Sequence, residues 1–128
     1  MIQTSRRNAA QYANNGIETA VVGASPAQLV KLMFDELRST LGTLQHCTTP
    51  ERREMRSRLT SRAVSILYAL LSSLDMEQGG KIAEDLSAIY DYCIRKLQSS
   101  VTAGDSNALT EVNAIIDEIA SAWTEIMP

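Results

Sequence analysis

Aromatic residues, histidine and long apolar runs are all scarce in this chain. Aromatic side chains make up 5% of its 128 residues, with one Phe and one Trp, so aliphatic side chains must build most of the core. That composition favours helix-on-helix packing over a β-sandwich. No apolar run reaches the ~18–20 residues of a membrane-spanning helix, so the sequence predicts no stable membrane insertion.

Strong positive charge is also missing. The formal charge of −3 and the pI near 5.1 argue against nucleic acid as a partner. Residues 1–15 lack the apolar core of a secretory signal, which predicts a cytoplasmic protein with reduced cysteines. The length suits a single domain.

Catalytic groups are nearly absent. His46 and Cys47 are neighbours, but a metal site needs three or four ligands and nothing nearby supplies the others. A single histidine excludes a di-iron bundle, and its position near a predicted helix end disfavours a phosphotransfer module. Gly79 and Gly80 lack the preceding strand of a phosphate loop. We therefore expect no enzyme, no metal site and no cofactor.

Apolar residues recur at spacings of three and four along most of the chain, which predicts four amphipathic helices. The first helix is predicted to start at a capping box formed by Ser25 and Gln28, with Pro26 at its first position. Thr49 and Pro50 start the second helix. A turn over residues 75–80 precedes the third helix, and Gly104 and Asp105 separate the third from the fourth. The four predicted seams are Val30, Phe34, Leu37, Leu41 and Leu44; Met55, Leu59, Ala63, Ile66, Leu70 and Leu74; Ile82, Leu86, Ile89, Cys93 and Leu97; and Leu109, Val112, Ile116, Ile119, Trp123 and Ile126. Short links between the helices indicate an all-α fold, an antiparallel four-helix bundle over residues 25–128.

Residues 1–24 break this pattern at Gly16 and Gly23. Between and before these glycines stand Tyr12, Ile17 and Val21. We interpret residues 1–24 as a helical or extended strap that lays these few side chains on the bundle.

Surplus apolar surface points to a protein partner. The apolar positions of the second helix cover roughly 180° of its circumference, more than the ~100° stripe of a typical surface helix. Leu32 on the first helix and Tyr92 on the third lie off their seams. An amphipathic segment laid into such a groove is a recurrent mode of recognition.

Five arginines cluster early in the second helix, which raises the possibility of a nucleic-acid patch. They are Arg52, Arg53, Arg56, Arg58 and Arg62. On a helix they point in several directions, with Glu51 and Glu54 among them, so a solvated face is the better interpretation.

Three blocks of the sequence form a specific pattern: residues 24–30 with 32–35, residues 74–83 with the motif Leu-Asp-x-Glu-x-Gly-Gly, and residues 86–97 with Tyr-Asp-Tyr. These blocks resemble the bacterial flagellar export chaperone family FliS. A weaker block follows in the last helix, so that the similarity extends from Tyr12 onward. The combination of the second and third blocks is specific, and the family's fold is the helical bundle predicted above.

The resemblance implies a non-enzymatic chaperone that holds the disordered C-terminal segment of flagellin, prevents premature polymerisation and delivers flagellin to the type III export gate. Candidate groove residues are Leu32, Leu67, Leu71, Ile82, Leu86, Ile89, Tyr92 and Arg95. Arg95 and Lys96 are expected to orient the client by charge. The resemblance implies that the strap covers part of the groove and contributes to docking at the gate, and the residue that matches the family is Tyr12. Ile17 and Val21 are the other strap residues expected to take part. The alternative is an adaptor or regulatory bundle that holds a different secretion client. The sequence does not decide whether the protein forms a homodimer.

Overall fold

The computed structural model describes residues 23–47, 49–103 and 106–126, and these residues form four α-helices and no strand. The helices are α1 (Pro26–Leu44), α2 (Arg53–Ser72), α3 (Met76–Ala103) and α4 (Ser106–Ile126), with a 3₁₀ turn (Pro50–Arg52) before α2. The all-α prediction is confirmed. Residues 1–22 of the predicted strap, with Tyr12, Ile17 and Val21, lie outside the described residues, as do Gly104 and Asp105.

The start of α1 follows from its capping box. The Gln28 backbone N–H donates to Ser25 Oγ at 3.2 Å, and the Ser25 backbone N–H donates to Gln28 Oε1 at 2.8 Å. Pro26 occupies the first turn, where its missing N–H costs nothing. The predicted cap is confirmed, and it fixes where α1 enters the bundle.

The four helices pack as a closed ring in which α1 contacts α2 and α4, and α3 contacts the same two helices. The rings of Phe34 and Trp123 lie 6.3 Å apart, and Arg38 Nε donates to Asp117 Oδ1 at 2.9 Å. A later residue of α1 thus meets an earlier residue of α4, so these helices run antiparallel. The antiparallel bundle is confirmed.

The core lies along the bundle axis and is mainly aliphatic. Its fully buried side chains include Phe34, Leu37, Leu41, Ile66, Leu67, Leu70, Cys93, Leu97, Val112 and Ile116. Cys47 and Cys93 are both buried and unbridged. Thr40 and Thr60 are buried as well, and each hydroxyl donates to a backbone carbonyl four residues earlier in its own helix, Glu36 and Arg56 respectively.

Two residues predicted in the seams are wrong as core positions. Ile82 is 72% exposed, because the inward line of α3 runs through Ala83 and Tyr90 and leaves Ile82 on the flank. Met55 is 40% exposed, because the buried arc of α2 begins only at Thr60 and Met55 stands in the first turn of that helix.

The turn before α3 depends on one acid and two glycines. Asp75 Oδ1 accepts from the backbone N–H groups of Glu77 and Gln78 at 3.1 and 3.0 Å, so this carboxylate holds the start of the turn that the sequence predicts over residues 75–80. Helical turns already begin at Met76, and the kink falls at Gly80, where φ is 51° and ψ is −127°. A side chain strains this conformation. A Cβ on Gly79 would lie 2.7 Å from Ala83 Cβ, so both glycines are required.

Candidate binding groove

An open groove of about 570 Å³ runs between α3 and α4. Its lining residues are Ala88, Ile89 and Tyr92 from α3, and Ile115, Glu118, Ile119 and Ala122 from α4. All except Tyr92 and Glu118 are alanine or isoleucine. Spacings of three and four bring these side chains to one side of each helix. The α3–α4 groove is therefore an apolar trough bordered by two polar groups.

Tyr92 closes one end of the groove by bridging the two helices. Its hydroxyl donates to Glu111 Oε1 at 2.7 Å. Lys96 Nζ lies 3.9 Å from the same oxygen and 5.6 Å from the centroid of the Tyr92 ring, within cation–π range. The hydrogen bond to Glu111 raises the pKa of Tyr92, with smaller contributions from desolvation and from the Glu111 charge. We call these three residues the clasp.

Tyr90, two residues earlier on α3, faces the opposite way. It is 3% exposed, and burial raises its pKa to about 12. Burial also raises the pKa of the Cys93 thiol to about 11. One helix thus presents one tyrosine to the core and another to the groove, as its 100° step per residue requires.

Five of the predicted groove residues lie on α3, and two of these, Ile89 and Tyr92, line the groove. Leu86 is half-buried against the core, and Ile82 is exposed seven residues before Ile89 on the same side of the helix. Arg95 is exposed and its guanidinium lies 3.1 Å from Asp91 Oδ2.

The other three predicted groove residues lie on α1 and α2, away from the α3–α4 groove. Leu67 is fully buried in the core, so it would reach a client only if the bundle opened. Leu71 and Leu32 are half-buried on α2 and α1. The structure does not bring these leucines together with Tyr92, and as client contacts they stay predictions.

Sequence reasoning missed most of the α4 wall. Ile119 was assigned to the seam, whereas Ile115, Glu118 and Ala122 were not singled out. The available signal was a second apolar line at residues 115, 119 and 122, displaced to one side of the seam through Ile116.

A second groove of about 400 Å³ lies between α2 and α3. Its lining residues are Ser57, Thr60, Ser61, Val64, Ser65 and Tyr68 from α2, and Gln98 from α3. Five of these seven residues carry a hydroxyl group, and Tyr68 is 51% exposed. We call this the α2–α3 groove.

The arginine cluster does not form one patch. Arg56 Nη1 donates to the carbonyl oxygen of Cys47 at 3.1 Å, and Arg62 forms an ion pair with Glu36. Two of the five arginines therefore tie α2 to α1 and to the loop between them. Arg52, Arg53 and Arg58 are exposed, as a solvated face predicts.

Within the described residues, no three His, Cys, Asp or Glu side chains come together in a group that could hold a metal ion. In the same part of the chain, no helix has the length and apolar character that a membrane crossing requires. A helical bundle with an open apolar groove is typical of proteins that hold an amphipathic segment of another chain.

Comparison with known proteins gives the family. The family model described as flagellar protein FliS matches residues 8–128. Similar relatives are the flagellar secretion chaperone FliS of Salmonella typhimurium, 36% identical over 91% of this chain and 87% of its own length, and that of Escherichia coli, 34% identical over 89% and 85%. FliSB of Pseudomonas aeruginosa is 32% identical over 91% and 92%. The chain belongs to the FliS family of flagellar secretion chaperones.

Proposed function

We propose that this chain is a cytoplasmic, non-enzymatic chaperone that binds the disordered C-terminal segment of flagellin in the α3–α4 groove. Holding this segment prevents premature polymerisation, and the complex is delivered to the flagellar type III export apparatus. The family supports the chaperone class. The observation that carries the binding site is the open groove with apolar walls.

The energetics suit a disordered client. A segment that orders on binding loses conformational entropy, which burial of apolar surface must offset at about 25 cal/mol per Å². The α3 wall is long enough for such burial, because the exposed Ile82 lies two turns before Ile89 on the same side of the helix and Tyr92 lies one turn after it. At 1.5 Å per residue, the ten steps from Ile82 to Tyr92 span about 15 Å.

The shape of the groove also suits release. It is open to solvent along its length, and its apolar contacts are spread over two helices rather than concentrated in one pocket. A client held by many small contacts can be peeled away stepwise at the export gate.

Calorimetry with a flagellin C-terminal peptide tests the proposal. We expect binding at tens of micromolar or tighter, and absence of binding by the folded chaperone would contradict it. Tyr92→Ala is expected to weaken binding with little loss of helicity. The matched control is Tyr68→Ala, which removes the same ring from the α2–α3 groove and should leave binding unchanged. A large fall in Tm for Tyr92→Ala would show that Tyr92 belongs to the core.

Two further measurements separate the proposal from its alternatives. A pull-down from motile and non-motile cells distinguishes flagellin from the client of a different secretion adaptor. His46→Gln should retain chaperone function, since no step of the proposal uses that imidazole.

We also propose that residues 1–24 take part in docking at the export gate through Tyr12, Ile17 and Val21. Tyr12→Ala should keep its affinity for the flagellin peptide and lose capture of the export-gate component. Loss of both would instead place Tyr12 in the client site.

A further inference from the structure

The two rims of the α3–α4 groove differ in charge. The α4 rim carries Glu111, Glu118 and Glu125, all exposed. Seven residues make two turns less about 20°, so the three carboxylates form one row along the helix. The row spans 14 residues, or about 21 Å.

The cations of the α3 rim are already engaged. Arg95 pairs with Asp91 at 3.1 Å, Lys96 shares the clasp with Tyr92 and Glu111, and Lys81 pairs with Asp85 at 3.3 Å. These partners make Arg95 and Lys96 poor candidates for orienting a client.

Glu118 and Glu125 are in the opposite situation. Glu118 lines the groove, and neither carboxylate forms an ion pair within the part of the chain that the structure describes. An apolar floor beside two unpaired acids is complementary to a helix with an apolar stripe and basic side chains along one border of that stripe.

We propose that the α3–α4 groove selects an amphipathic helix with basic residues seven positions apart, which pair with Glu118 and Glu125. The inference rests on the proposed function, because it specifies the chemistry of the segment that the groove holds. Exposed ion pairs add little affinity, but complementary charge raises the association rate and fixes register. Glu118 and Glu125 therefore determine which face of the client helix enters the groove and in which register.

Two synthetic peptides provide the probes. Both carry the same apolar stripe, one with lysines and one with glutamates at two border positions seven residues apart. At low salt we expect the lysine peptide to bind about fivefold more tightly, with the difference fading at high salt. Glu118→Lys should abolish or reverse this preference. Trp123, the only tryptophan and the neighbour of Ala122, supplies the fluorescence signal.

Glu84→Lys is the matched control, since it changes the net charge equally. Glu84 is exposed and lies about 140° around α3 from Ile89. Equal binding of both peptides, or an equal response in the Glu84 variant, overturns the inference. If a flagellin peptide binds while the two probes do not differ, the inference fails and the proposed function stands. If flagellin and both probes fail to bind, both are wrong.

Discussion

The two grooves that flank α3 have similar openings and different walls. The α2–α3 groove presents the hydroxyls of Ser57, Ser61 and Ser65, which are exposed and hydrogen-bond to water at little cost. The α3–α4 groove presents isoleucine and alanine, whose exposure costs about 25 cal/mol per Å². Covering the second groove therefore gains more free energy than covering the first. Wall chemistry, more than volume, distinguishes the two grooves.

The comparison first requires that the leucines behind the grooves are core residues. Leu67→Ala should lower the free energy of unfolding by about 2–5 kcal/mol, because a fully buried leucine leaves both transfer and cavity costs. Urea denaturation followed by Trp123 fluorescence measures the change. If the substitution lowered peptide affinity without lowering stability, Leu67 would be a client contact rather than a core residue.

The stability of the protein at high pH tests whether the inner face of α3 is buried. The pKa of Tyr90 is raised from 10.0 to about 12 and that of Cys93 from 9.0 to about 11. A folded-state pKa above the unfolded value contributes stability that is complete below the unfolded pKa and is lost as pH rises through the folded pKa. Stability should therefore fall between pH 9 and 12, with a loss on the order of 2 kcal/mol from Tyr90.

Denaturation curves at a series of pH values separate the two groups. Tyr90→Phe should flatten the fall above pH 10, and Cys93→Ala should flatten the part between pH 9 and 11. Curves that run parallel to those of the unmodified protein would mean that neither group titrates with folding.

One charge placed in each groove tests the comparison directly. Ala88→Asp and Ser61→Asp both introduce a carboxylate at an exposed helical position. Under an apolar client the Asp at position 88 must be desolvated, so we expect about tenfold weaker binding of the flagellin peptide, or ~1.4 kcal/mol. The Ser61 variant should bind normally, and circular dichroism should show equal helicity. Equal weakening by both substitutions would remove the distinction between the grooves.

Local signals in the sequence predicted local structure well. The capping box of Ser25 and Gln28, the turn role of Asp75 and the outward direction of Tyr92 each depend on a few neighbouring residues and the 100° helical step. The all-α bundle followed from four such patterns and from short links.

What depends on packing between helices was predicted less well. The predicted seam of α3 is confirmed at Cys93 and Leu97 but wrong at its first position, because Ile82 was put in the core and Ala83, which is buried there, was overlooked. Periodicity gives the width of an apolar stripe but not which part of it a neighbour covers. The pairing of α3 with α4, which joins Tyr92 to Glu111, lies beyond any single-helix pattern.

The smallest effect is expected at the clasp. Tyr92→Phe keeps the ring in the groove and removes the hydroxyl that donates to Glu111. If the ring contacts the client, the Kd for the flagellin peptide should change by less than about threefold, because one exposed hydrogen bond exchanged with water contributes little net free energy. Tyr92→Ala should change the Kd far more. Thermal melts and calorimetry on both variants separate ring from hydroxyl. Equal weakening by both substitutions would show that the clasp, rather than the apolar wall, controls access to the groove, and the contrast between the two grooves would then rest on hydrogen bonding instead of apolar burial.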